Sequence, residues 1–480
     1  MTKIPFSSPM NLIPCLILLL ITCMISIPSE GLRLTLVPPY SPESPAYLSN
    51  LTISKKIQKL INQSKGRAQV LNSSLFPTKN SNQTSPYGES KRIFSPIDGT
   101  NLGGASGYAY AAKIGIGQFK NGPLYKTYYL SLDTGSTLTW LQCEKCQTGG
   151  NTCFPQVDPL YENSLSTSYE PLMENNPMCI SAPPNPNPNK LCSYDIEYAD
   201  GAQTKGQMAS EIFTFETTYS TQLVGLVFGC GFDQKGFRVK EGVPEKAAGI
   251  LGLGRGKEAF HMQLDYRHIG LSFSYCFQDL LNQGGGQQRP TYLYFGENPH
   301  DYPFTFQETP FQVVANNPLY YVRLISINIG NIPVTMPPVD KVIIDTGSSI
   351  SYLFKPAYES MVKTLVSWLN RRRIPPRILH SNDLTDDPTF CFAKKPNQGY
   401  GILPTIHFML EGDGEFKIAP EQGFVVWKDD PQGEEYFCLM IEPHDTLSII
   451  GAFQQVNHKF IYDIGRNKLL FLNKNCAYAH

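Results

Sequence analysis

Two aspartates in this 480-residue chain stand in the same setting. Tyr128-Tyr129-Leu130-Ser131-Leu132 runs into Asp133-Thr134-Gly135-Ser136, and Lys341-Val342-Ile343-Ile344 runs into Asp345-Thr346-Gly347-Ser348, a spacing of 345 − 133 = 212 positions. One such tetrapeptide is ordinary turn chemistry, since Asp, Gly and Ser all favour turns. Two copies, each at the end of an apolar strand and about one domain length apart, indicate an internal duplication. A second pair supports it. Ala248-Gly249-Ile250-Leu251-Gly252-Leu253-Gly254 follows the first aspartate by 116 positions (249 − 133), and Leu447-Ser448-Ile449-Ile450-Gly451-Ala452 follows the second by 106 (451 − 345). Each of two similar lobes thus carries an Asp loop and a later apolar-apolar-Gly element. Two carboxylates held close enough to share one proton supply both a general base and a general acid. Like charges about 3 Å apart cannot both ionise, so such a pair titrates as a unit.

The elements around these loops read as strands. Short apolar runs split by Gly and Pro begin at Gly107-Tyr108-Ala109-Tyr110 and Lys113-Ile114-Gly115-Ile116-Gly117. Gly 39 and Pro 38 are both enriched, against ordinary usage of about 7% and 5%, which favours an all-β chain with frequent turns. One helix is expected after Pro356, where Tyr358, Met361, Leu365 and Trp368 keep helical spacing up to Arg371-Arg372-Arg373. Forty basic and 41 acidic residues leave a formal charge of -1, with no basic surplus to neutralise phosphates, so nucleic acid is excluded as a partner.

The first 30 residues, with Lys3 ahead of an apolar stretch from Leu12 to Ile25, read as a secretory signal. Residues 31 to about 103 lack cysteine and hold all four glycosylation sequons, at Asn50, Asn62, Asn72 and Asn82, so this segment is expected to be exposed. Its helical patch Ser54-Lys55-Lys56-Ile57-Gln58-Lys59-Leu60-Ile61 offers basic residues that can pair with carboxylates, which favours a propeptide over a passive arm. No later window is apolar enough to span a bilayer. A soluble product is expected, secreted to the extracellular space or carried to the vacuole.

Cysteine usage fits an oxidising compartment. Of 12 cysteines, Cys15 and Cys23 fall in the signal, leaving Cys143, Cys146, Cys153, Cys179, Cys192, Cys230, Cys276, Cys391, Cys438 and Cys476 for disulfides. Cys143-Glu144-Lys145-Cys146 has neither a second such pair nor a nearby His to complete a zinc site. Gly252-Leu253-Gly254-Arg255-Gly256 lacks the strand-helix context of a dinucleotide loop. Glu411-Gly412-Asp413-Gly414-Glu415 lacks the alternating ligands of a calcium loop and reads as a hairpin turn. No metal or cofactor is expected.

The repeated loops and strands resemble the pepsin-like (A1 family) aspartic proteases, in the plant nepenthesin-like branch, over about residues 107 to 480. The resemblance implies a bilobal all-β fold with a cleft between two similar lobes: signal 1–30, propeptide 31–103, N-terminal lobe 104–310 and C-terminal lobe 311–480. It makes Asp133 and Asp345 the catalytic pair. Thr134 and Thr346 would bond across to the opposing loop. Gly135 and Gly347 would admit backbone amides to the carboxylates, and Ser136 and Ser348 would donate to the outer carboxylate oxygens. Ser193 to Gly206 has the form of the family's flap hairpin, with Tyr198 as the lid tyrosine and Gly201 at the tip, although Ala199 and Ala202 stand where similar flaps usually carry Gly and Ser. Trp140 matches the position whose indole bonds the flap tyrosine, and a core role is compatible with it. The stretch Cys143 to Cys192 corresponds to the nepenthesin-type insertion, with the tract Pro183 to Pro188 in place of a cysteine-bearing portion. Cys391 and Cys438 resemble a family pair; the other connectivities stay open.

The implied function is a monomeric aspartic endopeptidase, made as a zymogen, that hydrolyses polypeptides at acid pH. The alternative is a catalytically silent relative that binds and inhibits cell-wall-degrading enzymes. Carboxyls of Asp133 and Asp345 within hydrogen-bonding reach of each other, or of one shared water, would separate the two readings.

Overall fold

The computed structural model describes residues 31–44, 51–75, 110–146, 153–197, 203–217, 220–235, 247–264, 269, 271–281, 289–296, 304–372, 388–428 and 433–478. Among them strands dominate, in sheets of fourteen, eight and three strands. Strand formation follows the side-chain period of two: in Lys126–Asp133 the residues Tyr128, Leu130 and Leu132 face the core, while Tyr129 between them is half-buried.

Each aspartate ends a strand whose parallel neighbour is the apolar-apolar-Gly element. Lys126–Asp133 pairs with Gly249–Gly252, with Asp133 opposite Gly252, and Val339–Ile344 pairs with Ser448–Ile450, with Ile344 opposite Ile450. The glycines in corresponding places are therefore Gly252 and Gly451, so the first spacing counts from Gly252, three positions beyond the residue used in the sequence comparison. Both are held to glycine by close approach. A Cβ on Gly252 would lie 2.4 Å from Thr137 O, and one on Gly451 would lie 2.2 Å from Ile350 O.

The division at residue 310 is crossed twice. Strands His458–Asp463 and Lys468–Asn473 leave the second lobe's sequence and join the first lobe's sheet, where His458–Asp463 pairs with Ser272–Cys276. Cys276–Cys476 closes the same seam. The helix Lys355–Arg371 forms where expected and buries Tyr358, Met361, Leu365 and Trp368. The acidic turn is a hairpin between Ile406–Leu410 and Glu415–Ile418, with Gly412 at φ 81° and Asp413 at φ 64°.

The described residues ahead of position 104 are built into the molecule. Strand Leu32–Val37 lies between Thr291–Phe295 and Ala111–Ile116 and pairs with both. Helix Ile53–Leu75 extends well beyond the basic patch seen in the sequence. Its buried residues, Ile57, Leu60, Ile61, Ser64, Arg67, Ala68 and Leu71, recur with helical spacing and form one face. The expectation of an exposed, sequon-bearing segment is corrected accordingly. Gln63 and Ser64 of the Asn62 sequon are buried, and Asn72 accepts a hydrogen bond from the Thr446 hydroxyl. A sequon is a tripeptide signal and carries no information about which helix face docks. Asn50 and Asn82, and the signal segment 1–30, lie outside the described residues.

Candidate active site

The two aspartate loops meet back to back with matching bonds. Thr134 N donates to Thr346 Oγ1 and Thr346 N to Thr134 Oγ1, both at 3.1 Å. The hydroxyls in turn donate to Ile344 O and Leu132 O, the residues ahead of the opposing aspartates, again at 3.1 Å. Gly135 N donates to Asp133 Oδ1 (2.9 Å) and Gly347 N to Asp345 Oδ1 (3.2 Å). Ser136 Oγ donates to Asp133 Oδ2 (2.5 Å) and Ser348 Oγ to Asp345 Oδ2 (2.7 Å). Duplicated sequence thus yields a locally two-fold arrangement, in which each carboxylate is oriented by its own loop and each loop is braced by the other. Both carboxyls are fully buried.

They are buried because the N-terminal helix covers them. Arg67 Nε donates to Asp345 Oδ2 (3.0 Å), and its Nη2 reaches both Asp345 Oδ1 (3.1 Å) and Asp133 Oδ1 (2.7 Å). The shared group between the two aspartates is therefore a guanidinium nitrogen. A planar fork suits this, since it can meet one carboxylate with two bonds while touching another. Adjacent residues of the helix seat on the second lobe: Gln63 Oε1 accepts from Ser349 Oγ (2.6 Å), and Ser64 Oγ accepts from Ile350 N (2.8 Å). The basic patch Lys55, Lys56 and Lys59, expected to supply a pairing cation, lies too early in the helix to do so. Lys56 instead donates to Leu281 O (2.7 Å), because the helix reaches the carboxylates two to three turns later. The available signal was register: Arg67 falls on the same face as Ile57, Leu60, Ile61 and Leu71.

Burial pushes the Asp133 carboxyl up, to about 6; the Arg67 guanidinium opposes this, and Asp345 adds to it. The helix thus acts on this carboxyl in opposite senses, its cover raising the pKa and its guanidinium lowering it.

A second buried acid lies on strand Ile441–His444. Glu442 accepts from Thr389 N (2.9 Å) and from the Thr389 hydroxyl, and burial pushes it from 4.5 to about 7, against those bonds and the pull of Lys65. The folded value exceeds the unfolded one, so its contribution is fully present below about 4.5 and is lost as pH rises through about 7. Glu442→Gln is expected to leave unfolding free energy unchanged at pH 4 and to raise it at pH 8, by at most about 3 kcal/mol. Denaturant titrations at the two values check this; an equal change at both would contradict it.

Comparison with known proteins places this arrangement in a family. The chain matches the family model described as "Xylanase inhibitor N-terminal" over residues 110–297 and "Xylanase inhibitor C-terminal" over 319–473. It is 30% identical to "Aspartyl protease family protein 2" of Arabidopsis thaliana over 368 residues, 73% of this chain and 68% of that one. It belongs to the pepsin-like aspartic proteases, in their plant nepenthesin-like branch. "Aspartic proteinase nepenthesin-1" of Nepenthes gracilis is 26% identical over 394 residues, 78% of this chain and 82% of that protein. The solved structure described as "Crystal structure of edgp" shares the fold at TM-score 0.58 and 17% identity, covering 77% of this chain and 94% of that one.

The remaining positions singled out in this pepsin-like chain are distributed as follows. Tyr198, Ala199, Gly201 and Ala202 lie outside the described residues; strands Ser193–Glu197 and Gln203–Glu216 on either side pair in register. Trp140 is wholly buried beside Tyr194, Leu138 and Ile250, with Phe154 edge-on at 6.4 Å. All ten cysteines pair: Cys143–Cys230, Cys146–Cys153, Cys179–Cys192, Cys276–Cys476 and Cys391–Cys438. The last is the pair that the resemblance implied. Among the described residues, no helix is long and apolar enough to cross a membrane.

Proposed function

We propose that the chain is the zymogen of an aspartic endopeptidase, with Asp133 and Asp345 as its catalytic dyad and residues 31 to about 103 as its inhibitory prosegment. The observation that carries this reading is the Arg67 fork on both carboxylates, backed by intact orienting bonds in both loops. Once the helix leaves, the volume held by the guanidinium becomes available to a water between the two aspartates. With one proton on the pair, the ionised member takes a proton from that water as it attacks the peptide carbonyl, and the protonated member donates to the carbonyl oxygen. The leaving nitrogen is protonated as the intermediate collapses. Activity is accordingly greatest at acid pH, where the pair keeps one proton. A secreted or vacuolar acid compartment suits that chemistry, and polypeptides are the substrates.

The inhibitor description of the family models motivates one rival, a binding protein without catalysis. Loops kept whole on both sides, including Ser136 and Ser348, favour the peptidase. Acid-treated protein is expected to degrade an unfolded polypeptide at about pH 3–5, and Asp133→Ala is expected to reduce the rate by at least about a thousandfold, as loss of an essential acid-base partner does. Equal cleavage by the variant would place the activity elsewhere.

A further inference from the structure

Beside the first aspartate loop lies a third buried carboxylate, one that the proposed chemistry leaves unused. Glu258 is 2% exposed. Its Oε1 accepts from Thr137 Oγ1 (2.8 Å), a neutral hydroxyl, and its Oε2 is buried without a hydrogen-bond partner among the described residues. A carboxylate out of water is costly unless a cation or further hydrogen bonds meet it. Glu258 lines a cavity of about 390 Å³, together with Thr137, Arg255, Lys257 and the loop 313–318.

That cavity lies along the track covered by the N-terminal helix. Gly254 N donates to Ser136 O (2.8 Å), which holds the segment ahead of Glu258 against the first aspartate loop. Val314 and Asn317 line this cavity and also a second one, of about 560 Å³, that reaches Ile343, two residues ahead of Asp345, and Leu75, the last residue of the helix. Leu75 follows Arg67 by eight residues, which is about 12 Å along a helix axis. The helix therefore runs from the aspartates to these adjoining cavities, over a distance that about four residues of extended chain would span.

The two cations of the cavity are engaged elsewhere. Lys257 Nζ donates to Pro177 O. Arg255 Nη2 donates to Asn467 Oδ1 (2.9 Å), and the guanidinium lies over the rings of Phe311 and Tyr320. Arg255 Nη1 is buried without an acceptor, a need that the carbonyl oxygen of any bound peptide can meet. Glu258 Oε2 needs a donor, and a positively charged one offsets its burial best.

Resting on the reading of this site as a peptidase cleft, we propose that Glu258 is a specificity-determining residue, which receives the ammonium or guanidinium of a substrate lysine or arginine within about four residues of the bond cut. The substrates are then polypeptides that carry a basic side chain at one fixed position beside the scissile bond.

Glu258→Gln keeps an oxygen for Thr137 and removes the charge. Acid-processed enzyme is given peptides that differ only in carrying lysine, norleucine or glutamate at each position near the scissile bond in turn. At one position the parent is expected to favour lysine over norleucine by about tenfold or more in kcat/KM and to disfavour glutamate. In Glu258→Gln the preference for lysine is expected to fall below about twofold, while the norleucine peptide is cut within about twofold of the parent rate. Glu170→Gln, which removes an exposed carboxylate of the same lobe, is expected to keep the parent's preference. No preference for lysine in the parent, an unchanged preference in Glu258→Gln, or an equal loss on both peptides would overturn the proposal. If the parent cleaves nothing, the peptidase reading fails by itself. No residue of the N-terminal helix lines the Glu258 cavity, so the full chain can still be probed by ligand-detected NMR with N-acetyl-lysine N-methylamide and its norleucine analogue. The lysine compound is expected to bind the parent and not Glu258→Gln; equal signals from the two proteins would overturn the assignment of Glu258.

Discussion

Arg67→Ala in the full chain is expected to expose the aspartate pair without any processing. Breaking a buried ion pair from one side strands the partner charges, at a cost of about 3–5 kcal/mol. Here two carboxylates, both fully buried, lose their only cation among the described residues. Helix Ile53–Leu75 keeps its apolar anchors Ile57, Leu60, Ile61 and Leu71, so the loss is expressed as undocking, with the open fraction rising by a factor of about a hundred to a few thousand. Cleavage of a fluorogenic peptide by the uncut chain at pH 6 reads this out, together with amide exchange over residues 53–75. Arg67→Lys is expected to fall between, because a point charge replaces the fork that meets Asp345 with two bonds. If exchange over 53–75 is the same in the variant and the parent, Arg67 does not hold the helix.

The second large effect concerns the seam. Cys276–Cys476 spans 200 residues, and the chain-entropy relation gives a loop of that size about 5 kcal/mol of stabilisation. The other bridges close loops of 87, 7, 13 and 47 residues and constrain less of the unfolded chain. Cys276→Ala with Cys476→Ala is therefore expected to lower stability by about 2–5 kcal/mol. Because residue 276 ends strand Ser272–Cys276, exchange should rise first along that strand and its neighbour His458–Asp463. Denaturant unfolding of the double variant checks the first statement and site-resolved exchange the second. A loss below about 1 kcal/mol would mean that the fourteen-stranded sheet holds the C-terminus without the bridge.

The parts that were legible before the structure are those whose meaning is local. Asp133 and Asp345 announce themselves because duplication repeats a tetrapeptide after an apolar strand, and the bonds of Thr134, Ser136, Thr346 and Ser348 follow from loop geometry once the loops meet. Arg67 was not legible because its meaning depends on the register of a helix whose second half reads as polar: Asn62, Gln63, Ser64, Lys65 and Gly66 interrupt the apolar stripe where it crosses the carboxylates. Polar residues on a buried helix face are evidence of polar partners, and there the partners are the aspartates, Ser349 and the Ile350 amide. The pairing of strands Ser272–Cys276 and His458–Asp463 was invisible for another reason. Nothing near residue 275 in sequence reveals that residue 462 will pair beside it, since the crossing of the C-terminal strands into the first lobe is a property of the assembled sheet.

Strand Leu32–Val37 gives the proposed prosegment a structural duty beyond the inhibition proposed for it. It hydrogen-bonds to Ala111–Ile116 on one side and Thr291–Phe295 on the other, so its loss leaves a slot one strand wide, with about 10 Å between two bare edges. Bare edges recruit whatever extended peptide is nearby. The lobes synthesised from residue 104 onward would have to fold around a missing rung, and their natural error is to borrow that rung from one another. In the proposed maturation, processing after folding, with Leu32–Val37 already seated, would avoid this and would make cleavage of the segment a step from which the unfolded chain has no equivalent way back.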